Sequence, residues 1–108
     1  TEDYIACVIN RVTRAAVDHA EIGGGLFVDY AGLPDAVERR ILPHFGIAPD
    51  ADTLAAIRAA ATWDAKTPSF AFEPDAEDKR ASAGDVVRAA VTAHLDGVHR
   101  ELTALAAP

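Results

Sequence analysis

Apolar residues recur at helical spacing along most of this chain. In "YIACVINRVTRAAVDH", residues 4–19, they stand at 5, 8, 9, 12, 16 and 17. That period marks one face of a helix, and the face is expected to be buried. Glu2 and Asp3 lie at its start and Arg14 and His19 near its end, the polarity a helix dipole favours. Gly23, Gly24 and Gly25 then stop it. "LFVDY", 26–30, breaks the pattern. It is short, apolar and rich in β-formers, with glycines on both sides, and it predicts a strand. A buried strand needs neighbours, and its expected place is in a parallel sheet.

Helical spacing resumes after Gly32. "LPDAVERRILPHFG", 33–46, predicts a helix with Pro34 in its first turn, limited by Pro43 and ended by Gly46. "DTLAAIRAAATW", 52–63, predicts the next, with Asp52 as N-cap and Leu54, Ile57 and Ala61 facing inward. From 64 to 78 the period is lost among two prolines, Phe70, Phe72 and several acids. A segment of that length is expected to be functional or packed on a partner. Ser82 is expected to open the last helix, with Asp85 three residues on completing a short capping box. Val87, Val91, Leu95, Val98, Leu102 and Leu105 form its stripe, with Gly97 a mild cost inside it.

Composition narrows this picture. The 108 residues suit one small domain with a modest core, read as a single segment, 1–108. Half are hydrophobic but only 6% are aromatic, so the core must be built from Ala, Val, Leu and Ile. The net charge of −7 repels nucleic acid and anionic membranes, so any anion site must be a local cluster. No apolar run approaches the roughly 18 residues of a membrane span. The single cysteine, Cys7, excludes an internal disulfide and suits a cytoplasmic setting. It falls on or beside the apolar face of the first helix and is expected to be buried and inert.

Candidate chemistry is sparse. His94 and His99 are five apart, on different sides of a helix, and with His19 and His44 make no zinc pattern. Arg39 and Arg40 read as a solvated face, Trp63 as packing and Lys66 as free. The triple glycine lacks the Lys and Ser/Thr of a phosphate loop and precedes a strand instead of following one. No catalytic residue is assigned. "DKRASAGD", 78–85, stands out: Lys79 and Arg80 precede Gly84, Asp85 and a helix start. Cations beside free backbone N–H groups combine two anion-attracting elements. The alternative is that Asp75, Glu77 and Asp78 neutralise them.

The element order resembles the C-terminal portion of the sulfotransferase family. Val28, Tyr30 and Leu33 in "LFVDYAGLPDAV", then Phe45, Gly46 and Ile47 in "LPHFGI" and the later "DAKTP", match the family's strand and helix patterns. Ala31 and Gly32 depart from its acidic pair. "KRASAGD" is similar to the family's late "R-K-G-x-x-G-D" loop, matching at Lys79, Arg80, Gly84 and Asp85 and departing at Ala81, Val86 and Val87. The resemblance implies a mainly α segment with one short strand, the C-terminal part of an α/β P-loop-type sandwich. It implies that Lys79, Arg80 and Gly84 bind the co-substrate 3′-phosphoadenylyl sulfate. It also implies sulfuryl transfer to a hydroxyl or amine of a small-molecule acceptor.

The family's donor loop and catalytic base would lie before Thr1, so this chain alone is expected to be inactive. Two features are expected of a piece of a longer protein: the chain has no methionine, and its first helix reads as mid-domain. The alternative function is a non-catalytic helical interaction domain, a possible homo-oligomer, using the 87–105 stripe or the Phe70 and Phe72 patch.

Overall fold

Alanine-rich segments with few β-branched runs favour helix, and the chain is mainly helical. A computed structural model describes residues 1–63, 69–71, 73 and 75–108. Six α-helices are α1 (Glu2–Asp18), α2 (Leu42–His44), α3 (Ala51–Ala60), α4 (Ala76–Ser82), α5 (Asp85–His94) and α6 (Asp96–Ala106). The strand expected at 26–30 does not form. Residues 26–29 carry no regular structure, and Tyr30 opens a 3-10 turn, Tyr30–Gly32. A strand is stable only with a ladder partner. Among the described residues the β-pairing is one isolated antiparallel bridge, Trp63 to Ala71. Leu26, Phe27 and Val28 are instead half-buried without pairing.

The chain divides into two compact units, Thr1–Asp29 with Arg80–Pro108, and Tyr30–Lys79. In the first, α1 packs on α5 and α6, and α5 on α6. Its buried residues are small: Ala6, Ala90, Val98 and Ala106. The expected buried face of α1 is therefore not buried, since Ile5, Val8, Ile9 and Val12 remain exposed and only Ala6 is covered. The expected long last helix is two helices. Leu95 leaves helical geometry at φ −117° and ψ −26°. Its N–H still donates to the Val91 carbonyl at 2.8 Å, and its carbonyl accepts from the His99 N–H at 2.9 Å. Gly97, two residues on, has low helix propensity, so the break falls where continuing is least favoured.

The stripe divides with the helix. Val98 is 2% exposed and Leu95 and Leu102 are half-buried, while Val87, Val91 and Leu105 stay exposed. The start of α5 also differs from the expected capping box. Ser82 ends α4, and extended Gly84 (φ −74°, ψ 166°) is the N-cap, its carbonyl accepting from the Arg88 N–H at 3.0 Å.

In the second unit the expected helix over 33–46 is not uniform. The Leu33–Pro34 peptide is cis. Residues Val37–Ile41 form a π-helical turn, and the Leu42 N–H donates five residues back to the Val37 carbonyl. Pro43 has no N–H to offer the turn before it, which loosens the ladder there. Gly46 ends α2 as expected. At φ +66° it sits in the left-handed region, its N–H donating to Pro43 and that of Ile47 to Leu42. This is a Schellman closure that glycine adopts without strain.

Helix α3 is capped by Asp50, two residues before the expected Asp52; Asp50 Oδ1 accepts from the Thr53 N–H at 2.7 Å. Leu54, Ile57 and Ala61 are half-buried, as their spacing predicts. Arg58 clasps Glu38 with two bonds, Nε to Oε2 at 3.0 Å and Nη2 to Oε1 at 2.5 Å.

Two outcomes follow from this packing. Val98→Ala deletes two methyl groups from the best-buried site and should cost about 2 kcal/mol, read as a lower midpoint in thermal circular dichroism. An unchanged midpoint would contradict the burial. The second concerns acid. The Thr53 backbone N–H holds the Asp50 carboxyl below its ordinary value, and the Arg58 hydrogen bond does the same for Glu38. Depressed carboxyls contribute stability above the unfolded value, and that contribution is lost as pH falls through the folded value. Helix signal should therefore drop below the ordinary range of about 3.9–4.3, and Asp50→Asn with Glu38→Gln should flatten that drop. An acid titration identical in native and double variant would refute the assignment.

Candidate functional site

Four polar or thiol residues on α1, Asp3, Cys7, Asn10 and Arg14, recur at steps of four, three and four. That spacing aligns them along one stripe of the helix. The stripe faces the joint between α5 and α6. Asp3 Oδ1 lies 3.1 Å from His94 Nε2, and Cys7 Sγ lies 3.6 Å from His94 Nδ1. Asn10 Nδ2 donates to the His94 carbonyl at 2.5 Å, and Arg14 Nη1 is 2.6 Å from Glu101 Oε2.

Cys7 is exposed, not buried as its place beside the apolar face suggested. It belongs to the polar seam, and a half-buried histidine 87 residues away is its partner. An ionised carboxylate only accepts, so Asp3 takes the proton-bearing Nε2. In the neutral imidazole Nδ1 is then the free lone pair, placed to accept from the Cys7 S–H. Sequence reasoning missed this stripe, though its spacing on α1 is a signal that shows it; the partner His94 has no such signal, because sequence spacing carries no information about a contact so distant.

The apolar side of α1 lies next to this seam. A groove of about 190 Å³ is lined by Ile5, Ala6 and Ile9 of α1, Val87, Ala90 and Val91 of α5, and Leu95. Among the described residues Glu2 is its one charged wall. Tyr4, Val8 and Val12 of α1 and Val86 of α5 are also exposed, Tyr4 to 73% and Val12 to 68%. The second unit holds a cleft of similar size, about 190 Å³, lined by Pro34, Val37 and Ile57. The Glu38–Arg58 pair also lines that cleft, which makes it more polar.

The cations expected to bind a phosphate sit in helix. Lys79 and Arg80 both lie within α4, as does Ala81, where the family pattern has glycine. Lys79 Nζ is paired with Asp75 Oδ2 at 2.7 Å, and this hydrogen bond raises the ammonium above its ordinary value. Arg80 is exposed, and its carbonyl accepts from Arg88 Nη2 at 3.0 Å. Gly84 is the N-cap of α5.

The remaining candidates are dispersed. His19 bonds back to the Ala15 carbonyl at 2.7 Å, and His44 meets Phe45 edge to face. Among the described residues no three metal-ligating groups converge. No described helix is long and apolar enough to cross a membrane. Trp63 is exposed instead of packed, and so is Phe70; Phe72, Asp64 and Lys66 lie outside the described residues. Comparisons with protein families, curated proteins and solved structures found no match to this chain.

Proposed function

We propose that this chain is a non-catalytic helical interaction module whose α1–α5 groove receives a cationic amphipathic helix of another protein. The observation that carries this is the exposed aliphatic surface of Ile5, Val8, Ile9, Val12, Val87 and Val91 around that groove. Contiguous exposed apolar patches on small proteins mark interaction surfaces. The groove's volume, about 190 Å³, is below the roughly 300–1,000 Å³ of ordinary small-molecule sites. It suits one or two aliphatic anchors of a helix laid along it. Charge selects the partner. Glu2 lines the groove, Asp3 shares its end of α1, and the chain carries −7. A second copy would bring like charge, whereas a basic helix is steered in.

Sulfuryl transfer by a sulfotransferase-like fold is the competing proposal. Lys79 engaged by Asp75, and an irregular 26–29 where that fold needs a strand, favour the interaction reading over it.

A synthetic leucine–lysine helix and its leucine–glutamate counterpart, titrated into the chain by calorimetry, separate the readings. The lysine peptide should bind saturably and weaken with salt. Ile9→Ala should cost at least about tenfold in affinity, as loss of an anchor does. Equal binding of both peptides, or of neither, would refute the proposal, as would a dimer in sedimentation that closes the groove. Saturable binding of adenosine 3′,5′-bisphosphate that Lys79→Ala with Arg80→Ala abolishes would instead favour the donor-site reading.

A further inference from the structure

We infer that Cys7, His94 and Asp3 form an activated thiol, and that Cys7 is a site of thiol–disulfide exchange with small external disulfides. A nucleophilic cysteine needs a base within hydrogen-bond reach and a group that orients the base. Both are present: His94 Nδ1 is 3.6 Å from Cys7 Sγ, and Asp3 Oδ1 is 3.1 Å from His94 Nε2. One spacing and one further contact fix the constellation. Asp3 and Cys7 are one turn apart on α1, and Asn10 of the next turn holds the His94 carbonyl. The sulfur is exposed, so a reagent reaches it. This site is independent of the apolar groove, whose walls do not include Cys7.

The arrangement also says what the thiol does not do. Cys7 lies inside a seventeen-residue helix, where backbone N–H groups are committed to the helical ladder. The helix backbone beside it therefore offers no pair of free donors to hold an oxyanion, the main source of transition-state stabilisation in acyl transfer. Disulfide exchange needs no such pair.

In the exchange, the Cys7 S–H proton moves to His94 Nδ1. Asp3 stabilises the imidazolium that results. The thiolate attacks one sulfur of a disulfide RS–SR, an Sγ–S bond forms and the old S–S bond breaks. The departing RS⁻ takes the proton back from His94. The sum is Cys7–SH + RSSR → Cys7–S–SR + RSH, with Cys7 oxidised and one half of the disulfide reduced. No second cysteine exists in the chain to displace the adduct, so the mixed disulfide persists until an external thiol attacks it.

The other ionisable groups on these helices are Glu2, Tyr4, Arg11, Arg14 and Asp18 on α1, Asp85 and Arg88 on α5, and Asp96, His99, Arg100 and Glu101 on α6. Arg14 is engaged by Glu101 and Arg88 by the Arg80 carbonyl. His94 remains the base in contact with the sulfur.

The test is the rate at which the 108-residue chain reacts with 4,4′-dithiodipyridine at neutral pH, read by absorbance, with the urea-unfolded chain as reference. With His94 positioned to take the proton, the native chain should react about threefold faster than the unfolded reference. His94→Gln and Asp3→Asn should each return the rate towards the unfolded value while circular dichroism stays helical. Oxidised glutathione should leave one glutathionyl adduct by mass, removable by dithiothreitol. A native rate no faster than the unfolded one overturns the proposal without recourse to any variant. A folded His94→Gln chain as fast as native overturns it equally.

Discussion

Close approach of helices through small side chains governs the first unit. Ala6, Ala90 and Ala106 let α1, α5 and α6 come together, and among the described residues Val98, 2% exposed, is the one larger side chain buried with them. Methyl groups bury little area each, so this contact supplies only a modest share of hydrophobic free energy. Helices that meet on alanine also leave longer aliphatic residues at the margin of the contact. Ile5, Ile9, Val87 and Val91 are in that position, and the groove is the gap between them. The exposed apolar surface is thus a geometric result of an alanine interface.

The polar seam works on the same helices by a different route. Its ion pair, Arg14 to Glu101, has side chains 38% and 49% exposed, so it contributes little stability by itself. Its value lies in registering α1 against the joint at Leu95. His94 is the last residue of α5, next to the joint at Leu95, and Asp3, Cys7 and Asn10 converge on it there.

Periodicity in the sequence located α1 and α3, because local propensity and spacing decide them; it did not show α4, and it ran α5 and α6 together. The span of α1, the stop at Gly46 and the inward face of Leu54, Ile57 and Ala61 were all legible. What failed were inferences about tertiary partners. "LFVDY" has strand-like composition, yet a strand exists only if a ladder forms. The 5/8/9/12 face has the period of a buried stripe, but α5 and α6 cover Ala6 instead. The caps of α3 and α5 shifted by two residues because Asp50 and Gly84 have the extended backbone that an N-cap needs. The helical placement of Lys79 and Arg80 was hidden too, since Ala81 continues a helix where a glycine would open a loop.

The division of the chain sets an order of assembly. The first unit is discontinuous, with residues 30–79 inserted between α1 and the helices that cover it. During synthesis α1 emerges long before α5 and α6 exist. At roughly 5–20 residues per second, the fifty intervening residues hold it uncovered for about 3–10 s. The second unit, being continuous, is complete before the first can begin to close. For that interval α1 is a nascent amphipathic segment with its whole aliphatic side in water, the kind of surface that general chaperones at the ribosome shield.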